Sequence, residues 1–228
     1  MNPSPPEPER EESTARVRPA LLAGQHFPSQ PQQERSKRKR EALLQSALFL
    51  FAERGYEDTL IEDIAHRADV AVGGFYQHFA SKRQIVLVLM DHLLEEASNL
   101  TPPGGPVDLQ DIRSIIAYFV RRGLQIDWSY AGAYRAWREA ALQDRELREL
   151  NVQVERWLAS QLETLLRGLL LFPGARTDVD MPMLAWELCL LFLRLAETPL
   201  ESTSEIDAVV GSLTHLIYHG LFKDVDSA

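Results

Sequence analysis

The sequence predicts an all-α protein, and three observations carry that prediction. Apolar residues recur at helical spacing from Arg38 almost to the C-terminus, residues that start and stop helices punctuate the pattern, and no segment of alternating β-branched residues competes with it. At 228 residues the chain is long enough for one or two domains, and 45% apolar with 25% charged residues suits a globular protein with a proper core. The single cysteine, Cys189, excludes a disulfide scaffold. The longest apolar run in the C-terminal half, Leu188 to Leu193, falls far short of the ~20 residues of a membrane span. Ala20-Leu21-Leu22-Ala23 is too brief for the core of a signal peptide. The expected location is the cytoplasm.

Residues 1–34 hold seven of the thirteen prolines and few large apolar side chains, so this segment is expected to be a disordered tail. A first helix runs from Arg38, with Leu44, Ala47, Leu48 and Phe51 on one face and Gly55 placed to end it. A second opens at Thr59 with a Thr-x-x-Glu capping box to Glu62 and buries Ile61, Ile64, Ala65 and Ala68. Asp69-Val70 makes a tight connection to a short third helix, Ala71 to Phe79. Ser81 and Gln84 form another capping box for a fourth helix that runs to about Ser98. Thr101 to Pro106 contains three prolines and two glycines and reads as a linker. Beyond it, Ile112, Ile115, Ile116 and Phe119 mark a fifth helix, and Tyr130, Tyr134, Trp137 and Ala141 a sixth. Leu147 through Leu165 mark a seventh that ends near Pro173-Gly174. An eighth starts with Asp180 as N-cap and Pro182 in its first turn, and a ninth starts near Ser204. That makes about nine helices in an N-terminal and a C-terminal group.

The charge is unevenly distributed. The chain carries a net −9, yet residues 35–83 carry nine basic and seven acidic side chains, headed by Arg35 and Lys37-Arg38-Lys39-Arg40. Such a cluster can screen phosphates whatever the charge elsewhere. It stands beside two short helices joined by a tight turn, a helix-turn-helix candidate at about residues 60–79. In that motif the second helix enters the DNA major groove. Phe75 and Phe79 can point inward together, leaving Val72, Gly73 and Gln77 outward. Each glycine of the Gly73-Gly74 pair costs a helix ~1 kcal/mol relative to Ala, which is explicable if the backbone must approach another surface closely. A loop pair that merely interrupts the helix is the duller alternative.

From about Ser36 to Leu94 the sequence resembles the N-terminal domain of the TetR family of transcriptional regulators. The resemblance rests on Ala47-Leu48-x-Leu50-Phe51-x-x-x-Gly55-Tyr56, on Thr59-x-x-x-x-Ile64-Ala65-x-x-Ala68-x-Val70, and on Gly73-x-Phe75-Tyr76-x-His78-Phe79-x-Ser81-Lys82. Ala71 departs from it, since the family usually has Ser or Thr there. The resemblance implies a helix-turn-helix DNA-binding domain at 35–97, with Thr59, Tyr76, His78 and Lys82 at positions that commonly hold phosphates. It also implies an effector-binding and dimerisation domain at 108–224. Thr59 at a helix start, the mobile cation of Lys82, and the neutral donors of Tyr76 and His78 agree chemically with that role. Val72 and Gln77 could touch base edges, an apolar contact to a thymine methyl and an amide to adenine. Lys37 and Arg38 could neutralise phosphates, and Ala71, Gly73 and Gly74 complete the expected DNA-facing set.

In the C-terminal part, Tyr118, Trp128, Tyr134, Trp137, Trp157, Met183 and Trp186 could line an apolar pocket for an apolar or aromatic small-molecule effector; an ordinary core is the alternative. Leu188, Leu191, Phe192 and Leu195 of the eighth helix, with Leu213 and Ile217 of the ninth, are the expected homodimer interface; burial within one subunit is the alternative. The sequence shows no Gly-x-Ser-x-Gly elbow, Walker lysine or His-Glu-x-x-His. His215 and His219 have a metal-compatible spacing but no evident third ligand, so no enzyme, metal or cofactor is expected. The expected function is a homodimeric transcriptional regulator, a repressor released by its effector from a palindromic double-stranded operator. The alternatives are an activator, a ligand-independent regulator, or a helical adaptor without DNA binding.

Overall fold

The computed structural model describes residues 17–28, 33–100, 111–198 and 202–223. Among the described residues there are nine helices: α1 (Glu34–Arg54), α2 (Ile61–Arg67), α3 (Val72–Phe75), α4 (Lys82–Ser98), α5 (Ile112–Ser129), α6 (Ala131–Gln143), α7 (Arg145–Leu169), α8 (Met181–Ala196) and α9 (Thr203–Leu221). The only extended pairing among them is an isolated bridge between Ala175 and Phe222. The expected linker at 101–106 lies outside the described residues. No helix among them is long and apolar enough to cross a membrane.

The chain divides into two compact units. One consists of residues Ala20–Glu96 and Ile126–Asn151; the other takes the described residues of Met1–Pro19, Ala97–Gln125 and Val152–Ala228. In the first unit, Leu43, Leu44, Ala47, Leu50 and Phe51 of α1 pack with Ile64 and Ala65 of α2 and with Phe75 and Phe79. Helix α4 is buried without a break from Ile85 to Met90, so neighbours cover it on every side. Helix α6 joins this unit by crossing α1 at Gly132, where a Cβ would collide with the Leu48 carbonyl oxygen and lie 2.8 Å from the Ala52 nitrogen. Only glycine lets the two backbones come so close. Downstream of the crossing, Arg135 donates to the Ala52 carbonyl at 2.9 Å, and the Glu139 carboxylate accepts from the Tyr56 N–H at 2.5 Å.

The first unit also holds a correction. Residues 20–28, expected to be part of a disordered tail, are held on this unit through Leu21, which is 1% exposed. The Gln84 side chain donates to the His26 carbonyl at 2.9 Å and Arg83 donates to Gln25 at 3.3 Å. One apolar anchor and two side-chain bonds suffice to fix a proline-flanked segment whose composition argues for disorder.

In the second unit α8 and α9 start as their caps dictate. The Asp180 carboxylate accepts from the Met183 N–H at 3.1 Å, as expected. For α9 the cap is Ser202, in a reciprocal capping box with Glu205, two residues before the expected start. Arg121 pairs with Asp207 at 2.6 Å, and Cys189 is buried with its thiol 3.9 Å from the Glu155 carbonyl.

Replacing Leu21 with Ala should destabilise the protein by about 2–4 kcal/mol in chemical denaturation, as for other fully buried leucines; a change near zero would mean that the 20–28 segment does not hold its place on the first unit.

Candidate nucleic-acid interface

The helix-turn-helix is built from local chemistry. Helix α2 closes with the Val70 N–H on the Ala65 carbonyl at 3.0 Å and the Asp69 N–H on the His66 carbonyl at 3.1 Å. Asp69 sits in the left-handed region at φ 53°, which a short polar side chain tolerates. Helix α3 spans only Val72–Phe75, and the chain continues through a turn whose His78 and Phe79 N–H groups both bond the Phe75 carbonyl at 2.9 Å. Phe75 and Phe79 are fully buried, with ring centres 6.0 Å apart, as their spacing predicts. The outer face of this element carries Ala71, Val72, Gly73, Tyr76 and Gln77, all exposed. Tyr76 is half exposed, its ring edge-on to Phe75.

The two glycines differ. A Cβ on Gly74 would sit 2.7 Å from Val70 Cγ1, so Gly74 faces the turn; one on Gly73 would meet nothing within 4 Å. The close approach that the glycine pair suggests is therefore internal at Gly74, and only Gly73 is open to an outside surface.

The structure places three residues of the expected phosphate-binding set otherwise. Thr59 is fully buried, does not cap α2, and donates its hydroxyl to the Gly55 carbonyl at 2.6 Å; the capping box with Glu62 does not form because α2 starts at Ile61. Lys82 turns its ammonium onto the loop after α1. It donates to the carbonyls of Tyr56 and, at 2.9 Å, Thr59, and lies 4.2 Å over the Tyr56 ring. Burial lowers its pKa against the pull of Glu57, Asp58 and Glu139. His78 is only 5% exposed, and its Nδ1 has no partner among the described residues. Burial, then Arg40 and Lys39, push its pKa down. Sequence reasoning points all three outward because nothing local distinguishes an outward cation or hydroxyl from one that satisfies a nearby loop.

The basic stretch falls inside α1, which starts at Glu34 rather than Arg38. Lys37, Arg38 and Lys39 are exposed, and Lys37 reaches back to Glu34 at 2.8 Å, a surface pair of little energy. Arg40 is half-buried with its guanidinium 5.0 Å over the Phe79 ring.

The residues expected to line an effector pocket divide between the two units. Trp128, Tyr134 and Trp137 belong to the first unit; Tyr118, Trp157, Met183 and Trp186 belong to the second. Tyr134 and Trp137 are core, 4% and 0% exposed, and the indole N–H of Trp137 donates to Asn151 at 2.8 Å. Trp157 is likewise buried, whereas Met183 is exposed. Of the expected interface, Leu188, Leu213 and Ile217 are buried within the chain, Phe192 and Leu195 are partly covered, and Leu191 is exposed. The outward apolar residues of α8 and α9 are Met183, Leu190, Leu191 and Leu216. A helix apolar all round does not reveal which stripe its own subunit covers.

A buried three-helix head presenting one short exposed helix beside exposed cations defines a helix-turn-helix protein. Residues 43–89 match the family model for bacterial regulatory proteins of the tetR family. The chain is 43% identical over 68 residues to the HTH-type transcriptional repressor Rv3405c of Mycobacterium tuberculosis, a stretch covering 30% of this chain and 36% of that protein. It is 45% identical over 67 residues to the transcriptional repressor KstR2 of Mycolicibacterium smegmatis, covering 29% and 32%. The match thus spans about a third of the length of these relatives. In fold, the chain is similar to a TetR family transcriptional regulator from Pseudomonas syringae, with a TM-score of 0.58 at 21% identity over 82% of this chain and 98% of that one. The likeness to the tetR family of bacterial regulatory proteins thus lies in the helix-turn-helix segment, and the solved structures extend the likeness of fold alone to most of the chain.

The sign of the His78 shift fixes a pH dependence. Its folded pKa lies below the unfolded value near 6.5, so the unfolded chain binds the proton more readily and the fold loses stability as pH falls through that value. Asp127, whose carboxyl burial pushes up to about 7, works in the opposite sense and is common to the wild-type chain and a His78 variant. Thermal melts at neutral and mildly acid pH should therefore show a smaller loss on acidification for His78→Asn than for the wild-type chain; an equal loss would place the titrating group elsewhere.

Proposed function

We propose that this chain is a DNA-binding transcriptional regulator, acting as a homodimeric repressor on a palindromic operator and released from it by a small apolar or aromatic effector. The observation that carries the proposal is the division of residues 71–79 into a buried side, Phe75, His78 and Phe79, and an exposed side, Ala71, Val72, Gly73, Tyr76 and Gln77. An exposed valine, an open glycine and an exposed amide suit a groove, where apolar contact meets a thymine methyl and an amide bonds adenine. Tyr76 supplies a neutral donor for a phosphate, and Lys37 and Arg38 supply the electrostatic share of binding. Thr59 and Lys82 contribute by holding the turn on which this head is built, and His78 by filling its core.

The relatives Rv3405c and KstR2 are named transcriptional repressors, which supports the repressor sense for this chain. Homodimerisation is supported by the outward leucines Leu190 and Leu191 of α8 and Leu216 of α9, which a second copy would cover. The effector site belongs to the second unit, with Tyr118 and Trp186, both partly exposed, as its aromatic residues. A DNA-binding role agrees with a location in the cytoplasm.

Selection of bound duplexes from a random pool, followed by binding isotherms across a salt series, tests the proposal. Replacing Lys37 and Arg38 together with Ala should lower affinity for every sequence and flatten the salt dependence by about 0.9 in log–log slope for each phosphate that is no longer neutralised. Gln77→Ala should instead alter base preference at one position of each half-site at a cost of about 1–3 kcal/mol. No enrichment of any sequence at low salt would overturn the proposal.

A further inference from the structure

A cleft of about 480 Å3 opens within the first unit, between the turn that follows α1 and the junction of α6 with α7. That volume lies in the usual range for small-molecule sites, roughly 300–1,000 Å3. Tyr56 and Glu57 line it from the turn, Ala140 and Gln143 from α6, and Asp144, Arg145 and Leu147 from the junction. Leu147 and Ala140 are almost fully buried and supply apolar walls.

The hydrogen-bonding capacity around the cleft is unevenly used. One Asp144 oxygen accepts from Arg83 Nε at 2.7 Å and the other from the Leu147 N–H at 3.1 Å, so this carboxylate is engaged within the fold. Arg145, on the rim, pairs with Glu149 at 2.9 Å. The Glu57 side chain is exposed and attracts the Lys82 ammonium, whose hydrogen bonds go to the Tyr56, Glu57 and Thr59 backbone carbonyls, so the Glu57 carboxylate keeps its oxygens for a ligand, and the Tyr56 phenol and Gln143 amide line the same cleft. What remains for a ligand is one negative charge, one phenol, one carboxamide and an apolar wall. The Lys82 ammonium lies 4.2 Å over the Tyr56 ring and already uses its attraction for a cation, which directs a second cation to Glu57.

We propose that this cleft is a binding site for a small organic monocation, a primary amine or guanidine on an apolar stem, with Glu57 taking the charge, Ala140 and Leu147 packing on the stem, and Tyr56 and Gln143 bonding its far polar group. The Tyr56 hydroxyl is a phenol, protonated at neutral pH and therefore able to donate. The site is separate from the exposed side of residues 71–79 and does not depend on DNA binding.

Tyramine is a suitable probe, 4-ethylphenol its neutral counterpart and 3-(4-hydroxyphenyl)propionate its anionic one. Titrations of the full chain followed by amide chemical shifts should show tyramine binding about tenfold tighter than 4-ethylphenol, with the shifts centred on residues 56–57 and 140–147. Glu57→Gln should remove the difference between the two, and Glu57→Lys should reverse the preference towards the propionate. Glu57 is exposed but attracts Lys82, so the amide spectrum of each variant before titration is compared with that of the wild-type chain, and Glu57→Gln, which removes the charge without reversing it, carries the test should Glu57→Lys disturb the turn. Equal binding of tyramine and 4-ethylphenol, insensitivity to Glu57→Gln, shifts centred away from the cleft, or no binding up to about 10 mM would each overturn the proposal.

Discussion

The first unit depends on the turn between α1 and α2. At Gly55 the chain leaves α1 with φ 84°, a conformation that only glycine adopts without strain, and the next four residues expose several carbonyls that no helix satisfies. Three side chains from different parts of the sequence meet that need. Thr59 bonds the Gly55 carbonyl, Lys82 at the start of α4 gathers the carbonyls of Tyr56 and Thr59, and Glu139 of α6 receives the Tyr56 N–H. Because Lys82 and Glu139 are fixed in α4 and α6, the turn cannot be placed without placing both helices. Helix α2, which leads into the exposed short helix, is positioned by the same set of bonds. A lysine whose ammonium is taken up by carbonyls behaves here as part of the scaffold.

Arg83, the next residue, extends that scaffold. Its guanidinium bonds Asp144 at 2.7 Å, Glu146 at 2.8 Å and Gln25 at 3.3 Å, linking α4 to the α6–α7 junction and to the N-terminal segment. The planar fork of arginine suits this threefold role, which a lysine could not fill. Neighbouring residues of α4 thus serve the two sides of the cleft: Lys82 holds the turn that carries Tyr56 and Glu57, and Arg83 holds Asp144.

What the sequence reveals follows the range of the interactions. The helices, the burial of Phe75 with Phe79, the stop at Gly55 and the Asp180 cap are written within a few residues of one another and are legible. The inward turn of Thr59 and Lys82 is not, because the Lys82 partners lie 23 to 26 residues away and become carbonyls in need only once the turn exists. The anchoring of Leu21 is hidden for a similar reason: composition speaks for the average of a segment, while one leucine and two bonds from α4 decide its fate. On α8 and α9 the apolar residues run round the helix, so periodicity marks the helices without fixing their phase. Leu188, Leu213 and Ile217 accordingly belong to the core, and Leu190 and Leu216 to the surface.

In the proposed complex, DNA is met by the exposed side of residues 71–79 together with the first turns of α1. Amide hydrogen exchange of the full chain, with and without a selected duplex, tests it most directly. Protection gained on residues 35–40 and 71–77, with α5 and the exposed face of α9 unchanged, is the predicted result. Protection gained only outside the helix-turn-helix head, with those segments unaffected, would contradict it.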